Sequence, residues 1–302
     1  MYIGKSEKEV VFHSEGEQVF GTLALPDKNN EGEKLPAIVL AHGYGSFRDE
    51  LTGFIDIADK LKNKGIISLR IDLRGCGKSG KPGRIHPFSE WITDVMSAIS
   101  YLQSLSKVNP KRIGLIGMSV GGGVVCWAGA IDQRVKCIVA LASVADGEWW
   151  LEHLWINKGG QSTWKEFLEK LQEDMVHQAV EGETQLVNIS DVLAYGLEDV
   201  NMMEEMFRNY PEFTRKLYLS SPISLLHFKP VNMVNRIQAI PIRLIHSKDD
   251  TSVPVKHSEA LYKNINGEKD LQIISDSPHC FWLGSRSKQV QELTIEWIER
   301  YL

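Results

Sequence analysis

The segment that constrains this chain most is Gly117-Met118-Ser119-Val120-Gly121. The apolar run Arg112-Ile113-Gly114-Leu115-Ile116 precedes it, and the small-residue stretch Gly122-Gly123-Val124-Val125-Cys126-Trp127-Ala128 follows. Strand, G-x-S-x-G turn and helix in that order read as a nucleophile elbow. So sharp a turn strains the serine backbone and leaves its hydroxyl clear of the sheet. A Cβ at Gly117 or Gly121 would run into neighbouring backbone, hence a glycine on each side. The helix after Ser119 points its unpaired N–H groups and positive dipole end at the place where an anion would form. Without that strand and helix, the same pentapeptide reads as a glycine-lined turn with a capping serine.

The elements around the elbow alternate regularly. Val10-Val11-Phe12 and Val19–Leu25 pattern as an opening hairpin, closed by the turn residues Pro26-Asp27-Lys28-Asn29-Asn30. Ala37–Ala41 is short and continuously apolar, as buried parallel strands are. Ile66–Ile71, Cys137–Ala142, Ile240–Ile245 and Leu271–Ile274 are further strands. Helical spacing links Phe54, Ile57, Ala58 and Leu61, then Trp91, Val95, Ala98, Ile99, Leu102 and Leu105, and finally Val290, Leu293, Trp297 and Ile298. Strands alternating with helices predict an α/β fold: a mostly parallel central sheet, helices on both faces, wound right-handed.

One interval breaks this rhythm. Nearly a hundred residues separate Ala142 from Ile240, too many for one crossover. Helical patterns lie between them, at Trp164, Phe167, Leu168 and Leu171 and at Met202, Met203, Met206 and Phe207. The expected organisation is a core of residues 1–145 and 233–302 with an inserted helical cap over 146–232. Such an insertion would cover the carboxyl edge of the sheet, where ligands bind in open α/β folds.

Composition excludes some classes. The chain has 302 residues, 43% hydrophobic and 24% charged, the balance of a soluble globular protein. A net charge of −5 gives no reason to expect nucleic acid as partner. The N-terminus lacks the apolar core of a signal peptide and no stretch suits a bilayer, so a cytoplasmic protein without membrane contact is expected. Cys76, Cys126, Cys137 and Cys280 show neither a paired motif nor metal-ligand spacing. No cofactor or metal is expected. The sequence admits a homodimer without specifying one.

A nucleophilic serine needs a base, and the base an orienting acid. In a sheet of this kind the acid and then the histidine follow the serine along the chain. His279, in Asp276-Ser277-Pro278-His279-Cys280-Phe281, lies in the loop leaving the last strand at the edge that carries Ser119. His257 is the competitor, in what reads as the exposed start of a helix. For the acid, Asp250 precedes the turn at Val253-Pro254; Asp249 is the adjacent alternative and Asp146 a remote one. Two donors are needed for a tetrahedral oxyanion. They are expected from the backbone N–H of Val120 and that of Tyr44, in the His42-Gly43-Tyr44-Gly45 loop.

His42–Gly45, Asp72-Leu73-Arg74-Gly75-Cys76-Gly77-Lys78-Ser79, Gly117–Gly121, Asp250 and His279 fall in the order and spacing of the α/β-hydrolase superfamily. The chain resembles that superfamily throughout except in the cap. Within it, the H-G-[FY] loop with its polar tail Ser46-Phe47-Arg48-Asp49-Glu50, the histidine loop and the insertion most resemble bacterial carboxylesterases of the feruloyl (cinnamoyl) type. Their insertion is smaller. The resemblance implies a serine hydrolase that cleaves short-to-medium or aromatic acyl esters through an acyl-enzyme. A serine at 119 sets aside the similar dehalogenases and epoxide hydrolases, which use aspartate, and dienelactone hydrolases, which use cysteine.

The cap bears on the substrate. Trp149, Trp150, Trp155 and Trp164 are half of the eight tryptophans, and residues 146–232 hold fifteen acidic against seven basic side chains, about −8, leaving about +3 elsewhere. Helix packing accounts for such aromatics; an apolar acyl pocket is the functional reading. Met202, Met203 and Met206 could add an adaptable wall. The acidity opens an alternative. Enzymes similar to proline iminopeptidase hold a substrate ammonium with cap glutamates, a role open here to Glu204 and Glu205, or to Glu148 and Glu152. A non-catalytic ligand-binding protein on the same fold is a third, remote expectation.

Overall fold

A computed structural model describes residues 6–27, 32–194 and 204–302. Strand β1 (Glu7–Ser14) pairs antiparallel with β2 (Glu17–Ala24). Their two-residue turn, Glu15-Gly16, has φ of 51° and 88°, the doubly left-handed geometry that matches strand twist. Then follow β3 (Leu35–Ala41), α1 (Gly53–Asn63), β4 (Ile67–Ile71), α2 (Ile92–Ser104), β5 (Val108–Met118), α3 (Val120–Ile131) and β6 (Val135–Leu141). Each element forms where its periodicity predicts it.

Between β6 and the next strand of the sheet lie α4 (Gly147–Gly159), α5 (Gln161–Glu181), β7 (Leu186–Asn188), β8 (Lys216–Tyr218) and α6 (Ser221–His227). The Asp146 carboxylate caps α4, accepting the N–H groups of Glu148 and Trp149 at 3.0 and 3.1 Å. Gly160, at φ 86°, breaks the chain between α4 and α5. The antiparallel pair of β7 and β8 departs from an all-helical segment. Three residues per strand are too few for an alternating pattern to stand out. Met202 and Met203 lie outside the described residues.

The core resumes with β9 (Ile242–Ser247), α7 (Lys256–Asn264), β10 (Lys269–Ile274) and α8 (Ser287–Tyr301). The sheet runs β1-β2-β4-β3-β5-β6-β9-β10 and is parallel from β4 onward. Seven buried residues in β3 alternate between two cores. Ile38 and Leu40 face α1 and α8, with Phe54, Ile57, Leu61, Val290 and Ile298. Ala37 and Val39 face the other side, with Val95 and Ile99 of α2, Val124 of α3 and Leu261 of α7. The chain moves from β3 to β4 on one side and then to β5 on the other, so the switch point opens at the carboxyl ends of β3 and β5.

The loop after β4 is fastened to α2 by buried charge. Arg74 donates from Nε to Asp94 Oδ1 at 2.6 Å and from its backbone N–H to Oδ2 at 2.9 Å, and Trp91 Nε1 donates to the Arg74 carbonyl at 2.8 Å. Burial pushes the Asp94 carboxyl up to about 6, against the pull of Arg74. Removing the guanidinium strands a buried carboxyl. Arg74→Ala should therefore lose about 3–5 kcal/mol in urea unfolding; an unchanged midpoint would refute this role for the pair.

Candidate active site

Ser119 sits at the junction of β5 and α3 with φ 56° and ψ −120°, a region costly for a side-chain-bearing residue. Its N–H donates to Leu141 O at 2.8 Å, and its carbonyl accepts the Val144 N–H at 3.0 Å. The neighbouring glycines make the turn possible. A Cβ on Gly117 would lie 2.3 Å from Gly121 O, and one on Gly121 would lie 2.2 Å from His42 O.

The loops after β9 and β10 bring the expected partners to this serine. His279 Nε2 lies 3.1 Å from Ser119 Oγ, and His279 Nδ1 lies 2.6 Å from Asp250 Oδ2. The other carboxylate oxygen, Oδ1, accepts the N–H groups of Ser252 and Val253 at 3.0 and 2.8 Å. Burial alone would raise the Asp250 pKa, but the His279 charge and hydrogen bonds from His246 and His279 hold it well below the usual carboxylate range. An ionised Asp250 keeps the proton on His279 Nδ1 and leaves Nε2 to accept from the serine hydroxyl.

The competing residues are occupied elsewhere. Asp249 accepts the Asp276 N–H at 2.8 Å, tying the two loops together. Asp146 caps α4. His257 is fully buried, not at an exposed helix start. Its Nδ1 accepts the Ala145 N–H at 3.2 Å and its ring stacks on Trp149 at 4.1 Å. The sequence reading missed this because Lys256 and Glu259 suggested a solvent face, whereas α7 turns His257, Ser258 and Leu261 inward.

Tyr44, expected to give the second donor, lies in the loop after β3. His42 is buried and neutral, since burial pushes its imidazole down to about 4. Its Nδ1–H donates to Gly43 O at 2.7 Å and its Nε2 accepts the Leu73 N–H at 3.0 Å. The Ser46 N–H also donates to Gly43 O, at 3.1 Å. In a trans peptide N–H and C=O are opposed, so these two donors turn the Tyr44 N–H to the other side. Val120 occupies the first position of α3, where an N–H has no acceptor within the helix. Asp72 holds the loop's far end, accepting the N–H groups of Arg48 and Lys78 at 2.8 and 3.0 Å.

Two polar residues beside the site escaped the sequence reading. His246 is fully buried, with Nε2 3.3 Å from Asp250 Oδ2; a lone imidazole in an apolar strand end was the available signal. Glu50 is buried, with φ 43°, and accepts the Gly43 N–H at 2.7 Å. Burial pushes its carboxyl up to about 7, opposed by the Gly43 N–H and by the His279 charge. Arg48, Asp49 and Glu50 are three consecutive charges in the polar tail of this loop, yet all three are buried.

The segment between β6 and β9 covers this loop. A Cβ on Gly45 would lie 2.6 Å from Ile189 Cδ1, and the Thr214 N–H donates to Gly45 O at 2.9 Å. Phe47 and Leu51 pack with Met206 and Phe213, and Cys280 packs on that cluster. Of the four tryptophans, Trp150 reaches the site, edge-on to Tyr44 and donating to Ser252 O at 2.9 Å. Trp155 and Trp164 pack on Phe167 within the segment. A cavity of about 750 Å³ between the loop at 81–89 and the segment, lined by Lys81, Arg84, His86, Phe88, Tyr218 and His227, is not bordered by Ser119, Asp250 or His279. Among the described residues no group could hold a metal ion and no helix is long and apolar enough to cross a membrane. Burial pushes the thiols of Cys76, Cys126 and Cys137 up to about 12.

A mostly parallel eight-stranded sheet with a serine elbow at its switch point is the α/β-hydrolase fold. Residues 32–284 match the family described as serine aminopeptidase, S33, and the chain belongs to it. A 31.7 kDa uncharacterised protein of Escherichia coli, from the traX-finO intergenic region, is 28% identical over 297 residues, 97% of this chain and all of that one. The polyketide transferase grgF of a Penicillium species is 23% identical over 88% of each chain. Its solved structure has a TM-score of 0.81 at 22% identity, covering 98% of both chains. Est1E from Butyrivibrio proteoclasticus, solved with ferulic acid bound, has a TM-score of 0.65 at 20% identity, covering 96% of this chain and 99% of that one.

The buried imidazole of His257 sets a pH dependence. Burial, with the charges of His246 and His153, pushes it down to about 3 against the pull of Asp250. An unfolded histidine protonates near 6.5, so between those values the unfolded chain binds the extra proton. The stability tied to neutral His257 is thus present above about pH 6.5 and lost as pH falls toward 3. His257→Gln should flatten the fall in unfolding free energy between pH 6.5 and 4 by up to about 1.4 kcal/mol per pH unit. Parallel profiles for variant and wild type would contradict the buried neutral state.

Proposed function

We propose that the protein is a serine esterase, cleaving neutral carboxylic esters with a short-to-medium aliphatic or aromatic acyl group. The observation that carries this reading is the relay of Ser119, His279 and Asp250, at 3.1 and 2.6 Å, on a strained elbow. Ser119 Oγ attacks the ester carbonyl carbon while His279 Nε2 takes the hydroxyl proton. The N–H groups of Val120 and Tyr44 stabilise the oxyanion. Collapse of the tetrahedral intermediate expels the alcohol, which leaves with the proton from Nε2. Water then attacks the acyl-enzyme through the same relay and releases the acid. Asp250 stays ionised, orienting the imidazole and stabilising its charged form. Residues 146–232 serve as a cap over a core of 1–145 and 233–302, and ferulic acid bound to Est1E supports an aromatic acyl group.

The family description favours a second reading, an aminopeptidase. An exopeptidase must hold a substrate ammonium with desolvated carboxylates. Glu148 is paired with Lys229 at 2.6 Å, and Glu204 and Glu205 are exposed. These contacts weigh toward esters.

Ser119→Ala should lower kcat/KM for an aryl ester by about a thousandfold or more while the far-ultraviolet circular dichroism is unchanged. A folded variant that keeps most of its activity would exclude Ser119 as nucleophile. Asp250→Asn should be severe but milder than His279→Ala, and Asp249→Asn should stay within about threefold of wild type. With matched acyl aryl esters, methyl hydroxycinnamates and aminoacyl anilides as substrates, kcat/KM should favour the esters. A clear preference for the anilides would transfer the protein to the aminopeptidases.

A further inference from the structure

We propose that Glu50 is a positioning residue for the oxyanion site, fixing the Gly43 peptide so that the next one presents the Tyr44 N–H to the reacting carbonyl. This rests on the serine-hydrolase reading above. The Glu50 carboxylate accepts the Gly43 N–H at 2.7 Å. Gly43 abuts the nucleophile: a Cβ built on it would lie 3.3 Å from Ser119 Cβ and 3.6 Å from Glu50 Oε1. Both sides of this short loop are therefore held. Its carbonyl is pulled one way by His42 Nδ1–H and the Ser46 N–H, and its N–H is held by Glu50.

The backbone at Glu50 is itself unusual. Glu50 and Leu51 are consecutive non-glycine residues at φ 43° and 61°. Each costs about 1–3 kcal/mol and persists only where the surroundings over-determine it. Phe47 and Leu51 are anchored in an aromatic cluster with Phe213 on either side of Glu50, and the Glu50 N–H donates to Phe47 O at 2.9 Å. This strained turn brings a buried carboxylate back seven residues to the Gly43 N–H. A loop needing only to close would not require it.

An oxyanion donor acts in the transition state, so its misplacement should lower kcat with little change in KM. The test compares wild type with Glu50→Ala, Glu50→Gln and Glu50→Asp at pH 8.5, using aryl ester turnover and the rate of Ser119 phosphonylation by a fluorophosphonate. Gln keeps an acceptor at the same reach without charge; Asp keeps the charge but is one methylene short. Expected is a drop of about 10–100-fold in kcat and in labelling rate for Ala and Asp, less than the loss of a whole donor. KM should stay within about threefold, and Gln should retain the wild-type rate within about fivefold. If Glu50→Ala does not fold, the Asp and Gln pair carries the comparison.

Three results would overturn the proposal. One is a wild-type rate in Glu50→Ala, or in Glu50→Asp where Ala does not fold. Another is a Gln variant as slow as Asp. The third is a rise in KM with kcat unchanged, which would make Glu50 a substrate-binding carboxylate. Labelling separates this from the serine-hydrolase reading, which fails if wild type is not labelled at Ser119, whereas the Glu50 proposal fails through the pattern among the variants.

Discussion

The arrangement of the site depends on one steric constraint, the close approach of α3 to the end of β3. Gly121 lies so near the carbonyls of Ala41 and His42 that a methyl group would overlap them. That contact brings the first turn of the helix against the loop that begins at His42. Val120 N–H and Tyr44 N–H then belong to two rigid elements held by one contact rather than to two independent loops. The positive φ of Ser119 follows, because the chain must reverse within one residue between β5 and α3. Its strain is offset by two hydrogen bonds into the end of β6 and the turn after it, at Leu141 O and Val144 N–H.

Local rules could be read wherever a local cause acts. The elbow, the parallel strands and the order of Ser119, Asp250 and His279 are set by glycine sterics, apolar runs and chain order, all written in the sequence. The parts that could not be read arise from long-range burial. His257 and Glu50 carry labels of solvent, and only the docking of α7 and the folding-in of the 46–51 loop bury them. The short pair of β7 and β8 depends on Leu186 and Tyr218, thirty-two residues apart, meeting in register. Tryptophans misdirect for a related reason: Trp155 and Trp164 pack on Phe167 within the inserted segment and Trp149 stacks on His257, so of the four only Trp150 meets the site and an aromatic count says little about it.

Asp250 and His279 sit on separate loops, which would be a weakness if nothing joined them. Asp249 and Asp250 divide the work. The first fastens its loop to the histidine loop through the Asp276 N–H, and the second faces the imidazole. Adjacent side chains in an extended turn diverge, so one residue binds the partner backbone and the other its side chain. Asp276 donates its N–H in this contact from φ 56°, a left-handed position beside the site like those of Ser119, Glu50 and Leu51. Behind Asp250, His246 is anchored by Ser258 at 2.6 Å and Val253 O at 2.8 Å, so the carboxylate rests on a fixed imidazole.

The same division of charge explains how the opening hairpin bears on the site from far off. Arg48, Asp49 and Glu50 point to three places. Arg48 pairs with Glu9 of β1, Asp49 lies 3.6 Å from Arg70 Nε of β4, and Glu50 turns inward to Gly43. Arg70 in turn pairs with Glu7 of β1 at 2.8 Å. Buried ion pairs add little net stability, because desolvation cancels most of the attraction. What they supply here is direction: a carboxylate at 49 beside Arg70 and a guanidinium at 48 between Glu9 and Asp72 constrain the path of the backbone between 47 and 51. That path is the strained one which aims Glu50 at the elbow. An apolar loop of equal stability would fix the packing but not the orientation of the Gly43 peptide, and the hairpin's two glutamates would then have no bearing on the loop beside Ser119.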